Sequence, residues 1–285
     1  MFNLGQVAGQ FAILGLVLGL ALSCGSESIG KHMSQPTMPS ATAAPTVDAV
    51  VSPSTMTPAE EAPPLVRPNR PPVSVFEGSA AAVVNKGNSA LKAVTLTFDA
   101  GSDAGYTSQI LDTLRAFGIV AAFGITGHWA EQNPGLLQRI VAEGHQVINH
   151  SFDHASFTGV SSGRRLSQEE RWQQLDATEQ VIQSVAGVGA RPFFRPPFGD
   201  YDASVNQDIA ARGYLYNIMW TVDSRGWQGL PADQIAERCL TRAEPGAIYI
   251  FHVGSASQDG PALPGIIEGL RAQGYAIVSL SGILA

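Results

Sequence analysis

Residues 93–118 read AVTLTFDAGSDAGYTSQILDTLRAFG. Ala93 to Phe98 is an apolar, β-branched and aromatic run of strand length. A polar loop containing glycine follows from Asp99, and from Thr107 to Phe117 the apolar residues Ile110, Leu111 and Leu114 recur at helical spacing. Gly118 then supplies the left-handed residue that ends a helix. A strand, a loop that begins with a carboxylate, and a helix together form the repeating unit of a parallel α/β protein.

The same unit recurs along the chain. Ala80 to Val84, Val120 to Ile125, Gln146 to Asn149, Phe193 to Arg195, Tyr214 to Trp220, Ala247 to His252 and Ala276 to Leu280 read as further strands. Helices are predicted over Asn133 to Ala142, Ser167 to Val185, Ala203 to Arg212, Pro231 to Arg242 and Pro261 to Gln273. Ser167 and Glu170 have capping-box spacing, and Gly144, Gly213 and Gly274 follow helices as Gly118 does. Strict alternation implies parallel strands with helices outside, either as an open doubly wound sheet or as a closed (β/α) barrel. No Gly-rich phosphate fingerprint follows the first strand, which disfavours a nucleotide fold.

The chain has 285 residues, enough for one buried domain and a tail. A net charge of -7, with 17 basic against 24 acidic residues and no basic run, excludes an electrostatic footprint for nucleic acid. The two cysteines, Cys24 and Cys239, imply no disulfide framework. Residues 1–25 read as a signal peptide or a lipoprotein-type anchor, since an apolar run from Phe11 to Leu22 precedes Ser23 and Cys24. Residues 26–75, rich in Pro, Ala, Ser and Thr, read as a disordered spacer, and residues 76–285 as the folded domain.

Functional groups of a parallel barrel sit at the carboxyl ends of its strands. Asp99, with Gly101 and Asp103 after it, His150 with His154, Arg195, Asp223 and His252 all fall at such ends. His150 and His154 have metal-ligand spacing, and one helical turn would aim both at a single point. The His pair needs a further protein ligand, most naturally a carboxylate, and an open position for water.

These segments, 94–101, 150–154, 195–199, 223–227 and 249–252, resemble the five ordered motifs of the polysaccharide deacetylases, the NodB-homology domain of carbohydrate esterase family 4. The resemblance spans residues 80–280. It implies a distorted parallel (β/α) barrel and metal-assisted hydrolysis of acetamide groups on N-acetylated glycans such as peptidoglycan or chitin, with zinc as the divalent metal. Asp99 then matches the general base, Arg195 the arginine that orients it, His252 the general acid, and His150 and His154 the metal ligands. Phe198 supplies a backbone N–H toward the carbonyl oxygen, and Trp227 lines the floor under the acetyl methyl. Such an enzyme would be secreted or held at the outer face of a bacterial membrane, with anchoring through the N-terminus.

Two positions depart from that pattern. Ala100 stands where the family has a second aspartate that ligates the metal, and Asp103 is the nearest carboxylate to replace it; the competing reading has Asp103 cap the helix starting near Tyr106. Gly226 stands where an aspartate precedes the tryptophan, which leaves Asp223 to pair with Arg195 or His252. With the first motif altered, a sugar-binding domain without turnover is the alternative to an enzyme.

Overall fold

The computed structural model describes residues 79–285; the expected signal or anchor, Cys24 and the whole of the spacer lie outside them. Nine strands are found among these residues: β1 (Ala82–Val84), β2 (Ala93–Ala100), β3 (Ala122–Ile125), β4 (Gln146–Asn149), β5 (Phe193–Phe194), β6 (Tyr216–Ile218), β7 (Val222–Asp223), β8 (Ile248–His252) and β9 (Ala276–Ile277). The helices are α1 (Thr107–Phe117), α2 (Gly127–Gln132), α3 (Pro134–Ala142), α4 (Gln168–Ala186), α5 (Ala203–Ala211), α6 (Ala232–Thr241), α7 (Asp259–Ala272) and α8 (Leu280–Leu284). No helix among the described residues is long and apolar enough to cross a membrane.

Every strand pairing is parallel, in the order β1-β6-β5-β4-β3-β2-β8-β7, with β9 beside the start of β2. The sheet curls into a barrel left open between β1 and β7. Thr221 crosses that seam, its hydroxyl donating to the Asn85 carbonyl at 2.7 Å and accepting from the Ile248 N–H at 3.2 Å.

Alternation along β2 sets the inside and the outside. Val94, Leu96, Phe98 and Ala100 join the large apolar core between sheet and helices, while Ala93, Thr95, Thr97 and Asp99 have the opposite parity and face the barrel interior. At the amino-terminal end of the strands the interior is filled by Ala93, Ala122, Ile148 and Ile218, closed by Leu280 and Ile283 of α8. The carboxyl end stays open and polar.

Local signals explain most elements. Ser167 and Glu170 form the reciprocal capping box of α4, at 3.2 and 2.8 Å, and Gly118 caps α1 with φ 64°. Residues 127–132 form the short helix α2, opened by the Thr126 hydroxyl, which accepts from the Trp129 N–H. The expected strand at 276–280 stops at Ile277: the Ser279 hydroxyl accepts from Gly282 N–H and opens α8 instead. Cys239 is buried in α6 as a free thiol.

Candidate active site

Arg195 is fully buried just past β5 and directs every arm of its guanidinium. Nη1 donates to Asp99 Oδ1 at 2.7 Å, Nη2 to Thr97 Oγ1 at 2.9 Å and Nε to the Ile218 carbonyl at 2.9 Å. Thr97 is held in turn by donating to the Tyr249 carbonyl at 2.6 Å. A buried guanidinium with a carboxylate is tolerated only when its other donors are also met, and here they are. Burial alone would raise the Asp99 pKa; the Arg195 charge, with His150 and His252 nearby, overrides it and holds the carboxyl below its ordinary range.

Gly124 makes room for this pair. It is the β3 register partner of Asp99, and a Cβ there would fall closer than 3.0 Å to Asp99 Oδ1. The carboxylate can therefore lie across β3 toward β4 and β5. A glycine inside the run Ala121-Ala122-Phe123-Gly124-Ile125 is the sequence signal of such a close approach.

His150, at the end of β4, donates from Nδ1 to the Arg195 carbonyl at 2.9 Å. A carbonyl only accepts, so the neutral ring keeps its lone pair on Nε2, which faces Asp99 Oδ2 at 3.5 Å. Burial lowers the His150 pKa and, helped by His150, lowers that of His154 to about 4. The two rings meet edge to face, 4.9 Å apart. They do not share a helical turn: the linking residues form a loop in which Ser151 and His154 are left-handed, with φ 65° and 63°. Strained φ values in non-glycine residues gather where function needs them. The other two are both at 61°: Phe198, which lines the site, and Arg225, whose N–H donates to Asp223.

His150 and His154, both kept neutral by burial, offer ring nitrogens of the kind a divalent cation takes. Among the described residues, however, no group of three His, Cys, Asp or Glu side chains is arranged to hold a metal. Ala100 lies in the outer core. Asp103 is turned toward Ser255, accepting from its N–H at 2.8 Å and its hydroxyl at 2.7 Å, so it neither joins the histidines nor caps α1.

His252 ends β8 as the register partner of Asp99 on β2, so base and acid candidates project from neighbouring strands in the same direction. Burial lowers the His252 pKa, but Asp259, Asp99 and Asp223 together raise it above 6.5. The nearest acid is Asp259, a fully buried residue in the first turn of α7, whose Oδ2 accepts from the His252 N–H at 2.8 Å and lies 3.8 Å from His252 Nδ1. The expected pairing of Asp223 with Arg195 or His252 is not formed. Its Oδ1 accepts from the Arg225 N–H at 2.8 Å and its Oδ2 faces Trp227 Nε1 at 3.4 Å, because Arg195 is already saturated by Asp99 and Thr97. Asp259 was missed because it lies outside the motifs, seven residues past His252.

Asp99, His150, His154, Phe198, Asp223, Trp227 and His252 line one cleft of about 570 Å³ at the open end of the barrel, with Trp220 and Ile250. Phe198 and Trp227 are 54% and 56% exposed, enough for both rings to be available as apolar walls. Phe198 packs on His154 at 4.6 Å between centroids.

Residues 86–216 match the family profile described as polysaccharide deacetylase. Over 201 residues the chain is 30% identical to the peptidoglycan-N-acetylmuramic acid deacetylase PdaA of Bacillus subtilis, covering 70% of this chain and 73% of that protein. It is 31% identical over 190 residues to the peptidoglycan-N-acetylglucosamine deacetylase of Bacillus cereus, covering 66% of each. Among solved structures, BA3943 of Bacillus anthracis, described as a CE4 family pseudoenzyme, superposes with a TM-score of 0.66 at 29% identity, covering 73% of this chain and 70% of that one. The ordered strand-end residues, the curled parallel sheet and these likenesses agree: the chain belongs to the polysaccharide deacetylase family, carbohydrate esterase family 4.

Proposed function

We propose that this chain is a divalent-metal hydrolase that removes acetyl groups from N-acetylated sugars of a peptidoglycan-like glycan at the bacterial cell envelope. The observation that carries the reading is the pairing of an ionised Asp99 with a proton-retaining His252 on adjacent strands, across a cleft that also holds His150 and His154. An acetamide is a weak electrophile with a poor leaving group, so its hydrolysis needs an activated water and a proton for nitrogen. Asp99, kept anionic by Arg195, accepts a proton from the attacking water. His252 donates one to the departing amine. The Phe198 N–H takes up charge on the carbonyl oxygen, and Trp227 packs the acetyl methyl. His150 and His154 would hold the cation, for which we propose zinc; when bound, it supplies Lewis-acid polarisation of the carbonyl and a more acidic water. Envelope location and anchoring through residues 1–25 belong to the same reading, as the relatives' peptidoglycan substrates support.

Acetate release by the full chain from peptidoglycan and from N-acetylglucosamine oligomers tests this. Turnover should be lost with chelator, return with zinc, and vanish in Asp99→Asn with the fold retained. Binding of the glycan without acetate release under any metal would instead mark a sugar-binding relative of the enzymes, as the likeness to a pseudoenzyme and the missing second aspartate would then explain.

A further inference from the structure

Gly226 precedes Trp227, and a Cβ built on it would lie 2.5 Å from Asp259 Oδ1, 2.6 Å from the Asp259 carboxyl carbon, and against Ser257 Oγ. The space that any side chain at 226 would enter is therefore filled by a carboxylate delivered from α7. That carboxylate is fully buried, and Ser224 Oγ and the His252 N–H both donate to its Oδ2, at 3.1 and 2.8 Å. Two buried polar atoms at this spot have no hydrogen-bond partner among the described residues: His252 Nδ1 and Asp259 Oδ1. A buried donor or acceptor left unpaired is destabilising, and a small rotation of either side chain joins residues already 3.8 Å apart.

We propose that Asp259 is the positioning residue for His252, occupying the space vacated by Gly226 and orienting the imidazole through Nδ1 so that Nε2 carries its proton into the cleft. The inference rests on His252 acting as the proton donor of the proposed reaction. Asp223 does not supply this contact, since its oxygens face Arg225 and Trp227. A carboxylate on the far side of a histidine both selects the tautomer and stabilises the imidazolium. The charged groups around His252 are Asp259 from α7, Asp99 from β2, Asp223 from β7, and the imidazoles of His150 and His154 beyond β4.

Four forms of the full chain test it: wild type, Asp259→Asn, Gly226→Asp/Asp259→Ser and Gly226→Asn/Asp259→Ser. The His252 ring titration, followed by NMR, needs no turnover; kcat, KM and the alkaline limb of acetate release are read in parallel. His252 should titrate at lower pH in both amide variants, with kcat down on the order of tenfold or more and KM held. The aspartate at 226 should restore both quantities. Should Asp259→Asn fail to fold, the two double variants, which differ only in acid against amide, carry the comparison. Equal His252 titration in all forms would overturn the proposal, as would equal kcat in the two double variants or failure of Gly226→Asp/Asp259→Ser to fold, since the two positions would then not share one space. Absence of acetate release by the wild type with the titrations as expected would sink the proposed reaction and leave the Asp259–His252 pairing standing.

Discussion

At Gly124 a single hydrogen stands where a side chain would displace Asp99, the proposed base. Gly124→Ala inserts a methyl where Asp99 Oδ1 now sits, and overpacking of this kind costs about 1–3 kcal/mol. A misplacement of about 1 Å at a reacting group costs roughly a hundredfold in rate. The expected result is a folded protein with acetate release down on that order, checked by circular dichroism beside steady-state kinetics; normal turnover would show that Asp99 does not need its present position. Much at this scale was legible in the sequence. Asp99, His150, Arg195 and His252 lie at or just past strand ends, His154 follows in the loop after β4, and the structure gathers them around one cleft, with Arg195 behind it. Asp259 was not legible, because a buried acid at a helix start reads like any cap until the empty place at Gly226 is seen beside it. Asp103 misled for the opposite reason: spacing from Asp99 says nothing about a loop whose carboxylate is engaged by Ser255.

Among the elements, α5 shows a titratable cap. Asp202 accepts from the Val205 N–H at 3.0 Å and from Ser204, and pairs with Arg165 at 2.7 Å. Partial burial opposes these contacts, yet they lower its pKa from 3.8 to about 2. A lowered folded-state pKa stabilises above the unfolded value and is lost as pH falls through the folded one. Asp202→Ala should therefore cost about 1 kcal/mol near neutrality, with the gap to wild type narrowing between pH 4 and 2; a pH-independent gap in urea titrations would count against the ionic cap. Asp200, two residues earlier, takes no part in this cap and accepts from Ser156 Oγ and Ser161 N–H, at 2.7 and 2.9 Å. Strand β4 and helix α1 have the limits read from the sequence, since their apolar periods end on clear breakers. The end of the chain does not, because Val278 to Leu284 is apolar enough for a strand and only the Ser279 cap turns it into α8.

For the whole molecule, the division of the barrel into a sealed end and an open end separates stability from chemistry. Leu280 and Ile283 plug the amino-terminal end, remote from the strand ends that carry the site. Leu280→Ala should cost about 2–5 kcal/mol and lower Tm by roughly 5–15 °C, with kcat per folded molecule unchanged; a parallel loss of kcat below the transition would show that the two ends are coupled. The seam between β1 and β7 is crossed by Thr221 and, beside it, by a backbone bridge between Lys86 and Ala247. Parallel order, inside-outside parity and helix placement all follow from alternation in the sequence, whereas the open seam does not, because nothing local fixes how far a sheet curls.

Asp99 and His252 stand opposite one another on hydrogen-bonded neighbours. In the proposed reaction the backbones that carry the proton acceptor and the proton donor are thus set apart by the repeat of the sheet itself, about 4.8 Å. Whatever polymer lies across the rim, the proposed acceptor and donor are carried by adjacent strands.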